Sequence, residues 1–147
     1  MSQECIFCKI GRGELPIYKI HEDNNYISFM DIYPPTFNGK ITMPVIIITT
    51  KKHLGSNLFE DLSDKEYSEL LKYTKRIAKA VQKGLNPTRV CLIFEGMEIN
   101  HIHPKLYAVF SDSYPDYLST EKSPGNKGIL APKEILQEYA DKIKKAL

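Results

Sequence analysis

Hydrophobic and polar positions follow two different periods along this chain. In the first half the apolar residues form short runs of strand length, whereas the middle and the C-terminal end show apolar residues at three- and four-residue steps. Residues 18–21 and 25–31 read as two short strands joined by Glu22-Asp23-Asn24-Asn25, acceptable turn residues, and so as a hairpin. Asp31-Ile32-Tyr33-Pro34-Pro35 breaks the second strand. A loop containing Asn38-Gly39 then leads to the β-branched run Val45-Ile46-Ile47-Ile48-Thr49-Thr50, the pattern of a strand buried on both faces. Ser63-Asp64-Lys65-Glu66 is a capping box that opens a helix. Tyr67, Leu70, Leu71, Ile77, Ala78, Val81 and Leu85 give that helix an apolar stripe, and Gly84 and Pro87 stop it. Its other face is rich in lysine and reads as a solvated surface. Residues 89–94 and 101–110 predict an antiparallel pair of strands around the turn Glu95-Gly96-Met97-Glu98. Residues 111–131 show little periodicity, and Pro132-Lys133-Glu134 opens a last helix with Ile135, Leu136, Tyr139, Ala140, Ile143 and Leu147 inward. There is no internal repeat and no linker, so residues 1–147 read as a single domain.

Composition narrows the function classes. A chain of 147 residues supports one core, and 20 basic against 18 acidic residues leave a net charge of +2. That balance argues by itself for neither a nucleic-acid nor a membrane partner. The longest aliphatic run, residues 45–48, falls far short of the roughly 20 residues that cross a bilayer, and residues 1–9 lack the apolar core of a signal peptide. The expected location is the cytoplasm.

Candidate chemistry sits at two places. On an extended strand His101, His103 and Lys105 project from one face, while Ile102, Pro104 and Leu106 face the other. Two imidazoles and an ammonium must each be solvated, paired or bound, which points to a metal ion and a phosphate. Pro104 cannot donate to a ladder, so an edge or a bulge is expected there. The second place is Cys5-Ile6-Phe7-Cys8. Three cysteines do not make a disulfide framework, and a redox CxxC should follow a strand, which this one does not. Zinc is the favoured reading. Cys91 lies in a continuous apolar run and reads as a small buried hydrophobe; His21, beside Glu22 and Asp23, reads as a surface residue.

Cys5-Ile6-Phe7-Cys8-Lys9-Ile10, Gly13-Glu14-Leu15-Pro16, Phe29-Met30-Asp31-Ile32, Lys51-Lys52-His53 and His101-Ile102-His103 occur in the order and rough spacing of histidine triad (HIT) proteins. The chain resembles that family over most of residues 4–110, while its C-terminal segment, 111–147, is divergent. The resemblance implies an α+β fold, the HIT-like fold, with an antiparallel sheet of about five strands, one long helix and a C-terminal helix, assembled as a homodimer. It implies a nucleotide hydrolase or nucleotidyltransferase acting on nucleoside-monophosphate conjugates such as phosphoramidates, adenylates or dinucleoside polyphosphates. His103 matches the middle histidine of the triad, which attacks the α-phosphate and carries the nucleotide covalently. Asp31 matches the aspartate that accepts from the ribose hydroxyls, and Ile20, Ile27, Phe29 and Ile32 are candidates for the base pocket. The zinc-bearing members hold their metal through positions that correspond to Cys5, Cys8, His53 and His101, a set with no open position and therefore structural.

The departures define a second reading. Lys105 stands in place of the third histidine, where its role as a catalytic residue would be electrostatic. Gly96-Met97-Glu98 replaces a Gly-Gln-Ser-like stretch, and a phosphate-contacting asparagine is replaced near Ile93 or Phe94. The loop between Gly39 and Lys51 is longer than usual. Loss of the polar phosphate donors fits a non-catalytic, zinc-stabilised module of the same fold that binds a nucleotide or a partner. A zinc-ribbon-like nucleic-acid binder is weaker, because one CxxC stands alone and no basic stripe with aromatics is evident.

Overall fold

The structure, a computed structural model, describes residues 5–37, 40–110 and 129–147. Helix α1 (Ile6–Gly11) is followed by β1 (Lys19–Glu22) and β2 (Tyr26–Met30), a two-residue ribbon of β3 (Thr36–Phe37) and β4 (Lys40–Ile41), and β5 (Val45–Thr50). The long helix α2 (Asp64–Leu85), β6 (Arg89–Phe94), β7 (Pro104–Val109) and the C-terminal helix α3 (Lys133–Lys145) complete the order. Five strands form one antiparallel sheet in the order β1-β2-β5-β7-β6. The fold is the expected α+β, HIT-like architecture. The turn at Asn38-Gly39 and most of the aperiodic 111–131 stretch lie outside the described residues.

The sheet's two faces do different work. Strand β5 is central and all six of its residues are buried. Ile46 and Ile48 of β5, Leu106 and Ala108 of β7, and Met30 of β2 meet Leu70, Ile77 and Val81 of α2 and Leu136, Ala140 and Ile143 of α3 in the main core. Fully burying each of the larger of these side chains, the alanines aside, is worth about 1.5–3 kcal/mol. On the opposite face Ile27, Phe29 and Ile47 pack under Phe7 and Ile10 of α1. Helix α2 begins as expected, Ser63 Oγ accepting from the Glu66 N–H while Glu66 reaches back to the Ser63 N–H. It ends on Asn86, which adopts the left-handed conformation at φ 52°. Gly84 lets α3 pass: a Cβ there would stand 2.7 Å from the Lys142 carbonyl.

Several expectations are corrected. Tyr67, Ile135 and Leu147, assigned to apolar stripes, are exposed at the margins of their helices. Pro104 is neither at an edge nor at a bulge; it opens β7, an internal strand, opposite Phe94, where β5 pairing has not yet begun. His101 and His103 precede that strand rather than lying on it. His21 is half-buried, its Nδ1 3.1 Å from the Tyr73 hydroxyl. The cause is a bulge between Lys19 and His21, which puts Lys19 opposite Phe29 and His21 opposite Ser28. Two consecutive residues, Ile20 and His21, consequently face the helices. No helix among the described residues is long and apolar enough to cross a membrane.

Candidate functional site

Helix α1 is one and a half turns long and starts directly after Cys5, so Cys5 and Cys8 lie one turn apart on the same side. His53 comes from the loop after β5, and His101 from the segment leading into β7. These four side chains meet: their ligand atoms all lie within 4.8 Å of one another. Cys5 Sγ is 3.3 Å from His101 Nδ1, and Cys8 Sγ is 3.3 Å from His53 Nδ1 and 3.6 Å from His101 Nδ1. Separations of about 3.3–3.8 Å are the edges of a tetrahedron whose metal–sulfur and metal–nitrogen bonds are about 2.3 and 2.0 Å.

The surroundings prepare His101 as a ligand. Its Nε2–H donates to the Thr50 carbonyl at 2.9 Å, which leaves the Nδ1 lone pair toward the thiols. The ring is fully buried, and burial pushes its pKa down to about 4, so it is neutral and free to ligate at pH 7. Burial, followed by the adjoining Cys5 thiol, raises the pKa of Cys8. Cys8, buried beside a second thiol, is costly to ionise unless a cation joins it. Donor types, spacing and tautomer thus all fit a metal ion. Cys91 lies elsewhere, half-buried against Tyr107 and Val109.

His103 sits two residues beyond the cluster. Its Nδ1–H donates to the His101 carbonyl at 2.5 Å, so Nε2 is the bare, nucleophilic nitrogen. Burial lowers its pKa as well, keeping the imidazole neutral at pH 7. The ring lies against Phe7, with centroids 4.6 Å apart, and lines a cavity of about 850 Å³. That volume falls in the ordinary range for small-molecule sites of about 300–1,000 Å³. Phe7, Ile10, Leu15 and Ile17 wall one side, Phe29 and Ile47 of the sheet form the floor, and residues 95–99 form the far rim.

Among the base-pocket candidates, Phe29 and Ile32 line this cavity, as does Asp31. Ile27 packs beneath it, beside Phe7 and Phe29, without lining it. Ile20 is a correction: the bulge in β1 turns it into the main core on the other side of the sheet.

Lys105 lines the cavity beside His103 but is not a free cation. Its Nζ stands 3.0 Å from Glu95 Oε2 and 3.7 Å from Asp31 Oδ2, all three side chains being 15% exposed or less. Tyr107 Oη donates to the other Glu95 oxygen at 3.1 Å, and the Tyr33 N–H donates to Asp31 Oδ1 at 2.9 Å. One ammonium therefore serves two carboxylates, while a third, Glu98, stands exposed on the rim. Sequence reasoning missed Glu95 and Tyr107. The signal for Glu95 was the alternation itself: Ile93 pairs with Lys105 and Phe94 with Pro104, so the next residue comes opposite His103 on the cavity face.

No protein-family model matches the chain. It is 34% identical over 107 residues to an uncharacterised HIT-like protein of Borreliella burgdorferi, the alignment covering 68% of this chain and 71% of that protein. It is 32% identical over 104 residues to adenosine 5'-monophosphoramidase of Saccharomyces cerevisiae, over 70% of this chain and 61% of the yeast protein. Among solved structures, a Hit-like protein from Bartonella henselae superposes with a TM-score of 0.77 at 28% identity, covering 100% of this chain and 98% of its own.

Proposed function

The chain belongs to the histidine triad family, and from that premise we propose that it is a nucleotide hydrolase or nucleotidyltransferase acting on nucleoside-monophosphate conjugates, with His103 as nucleophile. The observation that carries this reading is the His103 ring itself, neutral and fixed through Nδ1 with Nε2 left bare beside a nucleotide-sized cavity. The Nε2 lone pair forms a bond to the α-phosphorus while the bond from phosphorus to the leaving group breaks, its electron pair going to that group, which takes a proton from solvent. Water or another acceptor then attacks the nucleotidyl-histidine and restores the imidazole. Asp31, with one oxygen held by the Tyr33 N–H, retains acceptor capacity for ribose hydroxyls. The apolar side of the cavity, Phe7, Ile10 and Phe29, takes the base. The yeast relative's monophosphoramidase activity supports a conjugate with a phosphorus–nitrogen bond as the first substrate to try.

Zinc held by Cys5, Cys8, His53 and His101 is structural in this reading: two thiolates and two imidazoles fill its coordination and leave no position for substrate. It would pin α1 over the nucleotide cavity. Free thiol ligands suit a reducing, cytoplasmic setting. A homodimer through β6 is supported by that strand's position at the sheet edge and by Leu92, exposed on it. Light scattering should read twice the chain mass; a monomer at micromolar concentration rejects the pairing.

Lys105 is the group nearest to a cation for the phosphate, and Glu95 with Asp31 fixes where it stands. Replacing it by methionine should slow turnover roughly tenfold to a hundredfold, the scale of one transition-state donor, while the His103 adduct still forms. Unchanged turnover would assign Lys105 to structure alone. The alternative reading is a non-catalytic, zinc-stabilised nucleotide- or partner-binding module. Glu95 and Glu98 favour it, since both bring negative charge toward the place a phosphate would occupy. Nucleotide binding with no adduct and no mononucleotide formed over hours would select it.

A further inference from the structure

The modest net charge conceals a strong segregation. Residues 70–94 contain Lys72, Lys75, Arg76, Lys79, Lys83 and Arg89 and no aspartate or glutamate, so this segment carries +6 and the remaining residues, 14 basic against 18 acidic, carry −4. Five of the six cations lie on α2 and all five are exposed. Lys72, Arg76, Lys79 and Lys83 recur at steps of four, three and four residues, and Lys75 stands beside Arg76, making one stripe roughly 16 Å long.

None of the five has a carboxylate partner among the described residues. By contrast Lys19, Lys51, Lys52, Lys65, Lys105, Lys142 and Lys144 each stand within 4.0 Å of one. Like charges one turn apart on a helix cost a few tenths of a kcal/mol per pair, so the stripe is unfavourable until an anion meets it. It borders a shallow groove of about 400 Å³ formed with Ala80 and with Ala146 and Leu147 beyond α3. The sheet separates it from the His103 cavity, because α2 packs on the face opposite Phe29 and Ile47.

We infer that this face of α2 docks the phosphate backbone of a duplex nucleic acid without reading its sequence. About 16 Å of duplex carries roughly ten phosphates, a linear charge array that a straight cationic stripe complements. Among the described residues neither the stripe nor its groove includes an aromatic side chain on which unpaired bases stack, which favours a duplex over a single strand. Among the described residues that line the groove Leu147 is the one large apolar side chain, too little to enter a bilayer interface or to seat an amphipathic helix.

The test is fluorescence anisotropy of the full chain with a labelled mixed-sequence DNA duplex of about two helical turns, titrated between about 50 and 200 mM salt. With five phosphate contacts, log K should fall against log salt with a slope of about −4.5. Lys72→Gln/Lys79→Gln/Lys83→Gln should flatten that slope by nearly 3 and weaken binding at least tenfold at low salt, whereas Lys19→Gln/Lys40→Gln/Lys65→Gln, the same loss of charge elsewhere, should leave both nearly unchanged. The inference is overturned by no anisotropy change at 50 mM salt with about 100 μM protein, by equal losses in the two triple variants, or by binding to anionic phospholipid vesicles in the absence of duplex binding. Formation of the His103 adduct, measured separately, should be the same in all three proteins.

Discussion

Substituting His103 by alanine is expected to abolish nucleotide transfer, by at least about a thousandfold, and to leave the fold and the metal in place. The loss should be this large because His103 supplies the one imidazole among the described residues that line the cavity, and Lys105 and Tyr107 beside it are both tied to Glu95. The fold should survive because His103 ligates nothing in the Cys5, Cys8, His53 and His101 cluster, and its ring hydrogen bond goes to the carbonyl of His101, two residues away in the chain. Intact-protein mass spectrometry after brief exposure to adenosine phosphoramidates, adenylates and dinucleoside polyphosphates, quenched to preserve phosphohistidine, reads the result directly. The native chain should gain the mass of one nucleoside monophosphate and the variant none. An adduct of undiminished yield in the variant would remove His103 from the mechanism.

Replacing Cys8 by serine is expected to cost the metal and several kcal/mol of stability, lowering Tm by on the order of 10 °C at this chain length. Cys8 stands against two ligands at once, His53 and His101, and is itself buried. Its loss leaves the others with an incomplete set around two imidazoles. Metal analysis should find one zinc per chain in the native protein and none in the variant, and chelation of the native protein should reproduce the lower Tm. A variant that holds no metal yet melts with the native protein would show that the four side chains pack without needing the ion.

Local chemistry made much of the fold legible. The Ser63 and Glu66 cap marks the start of α2 because its hydrogen bonds close within four residues, and the unbroken run from Val45 to Thr50 announces a central strand because only a doubly covered strand tolerates it. The cluster of Cys5, Cys8, His53 and His101 was another matter. Nothing between residues 8 and 53 tells that those two side chains meet, and only the family resemblance joined them. Ile20 went astray because a bulge shifts the alternation by one residue, and bulges leave no mark in the pattern of hydrophobic residues. Lys105 reads in the sequence as a cation standing in for the third histidine, and its pairing with Glu95 and Asp31, which come from two other segments, leaves no mark there. The stripe on α2 was visible residue by residue, but a chain-wide charge sum averages it away.

Phe7 stands between the two cysteines in the chain, while its ring lies 5.6 Å from His101 and 4.6 Å from His103. His101 in turn gives its ring to the cluster and its carbonyl to His103. On the proposed function, where the thiol pair helps hold an ion and the cavity a nucleotide, these shared contacts would couple the two equilibria. Whatever factor a bound ion adds to the affinity for nucleotide, nucleotide must return to the affinity for the ion. In that reading, a cell that starves the chain of zinc, or oxidises its thiols, would by the same thermodynamic linkage loosen its hold on nucleotide, and abundant nucleotide would slow the escape of the ion.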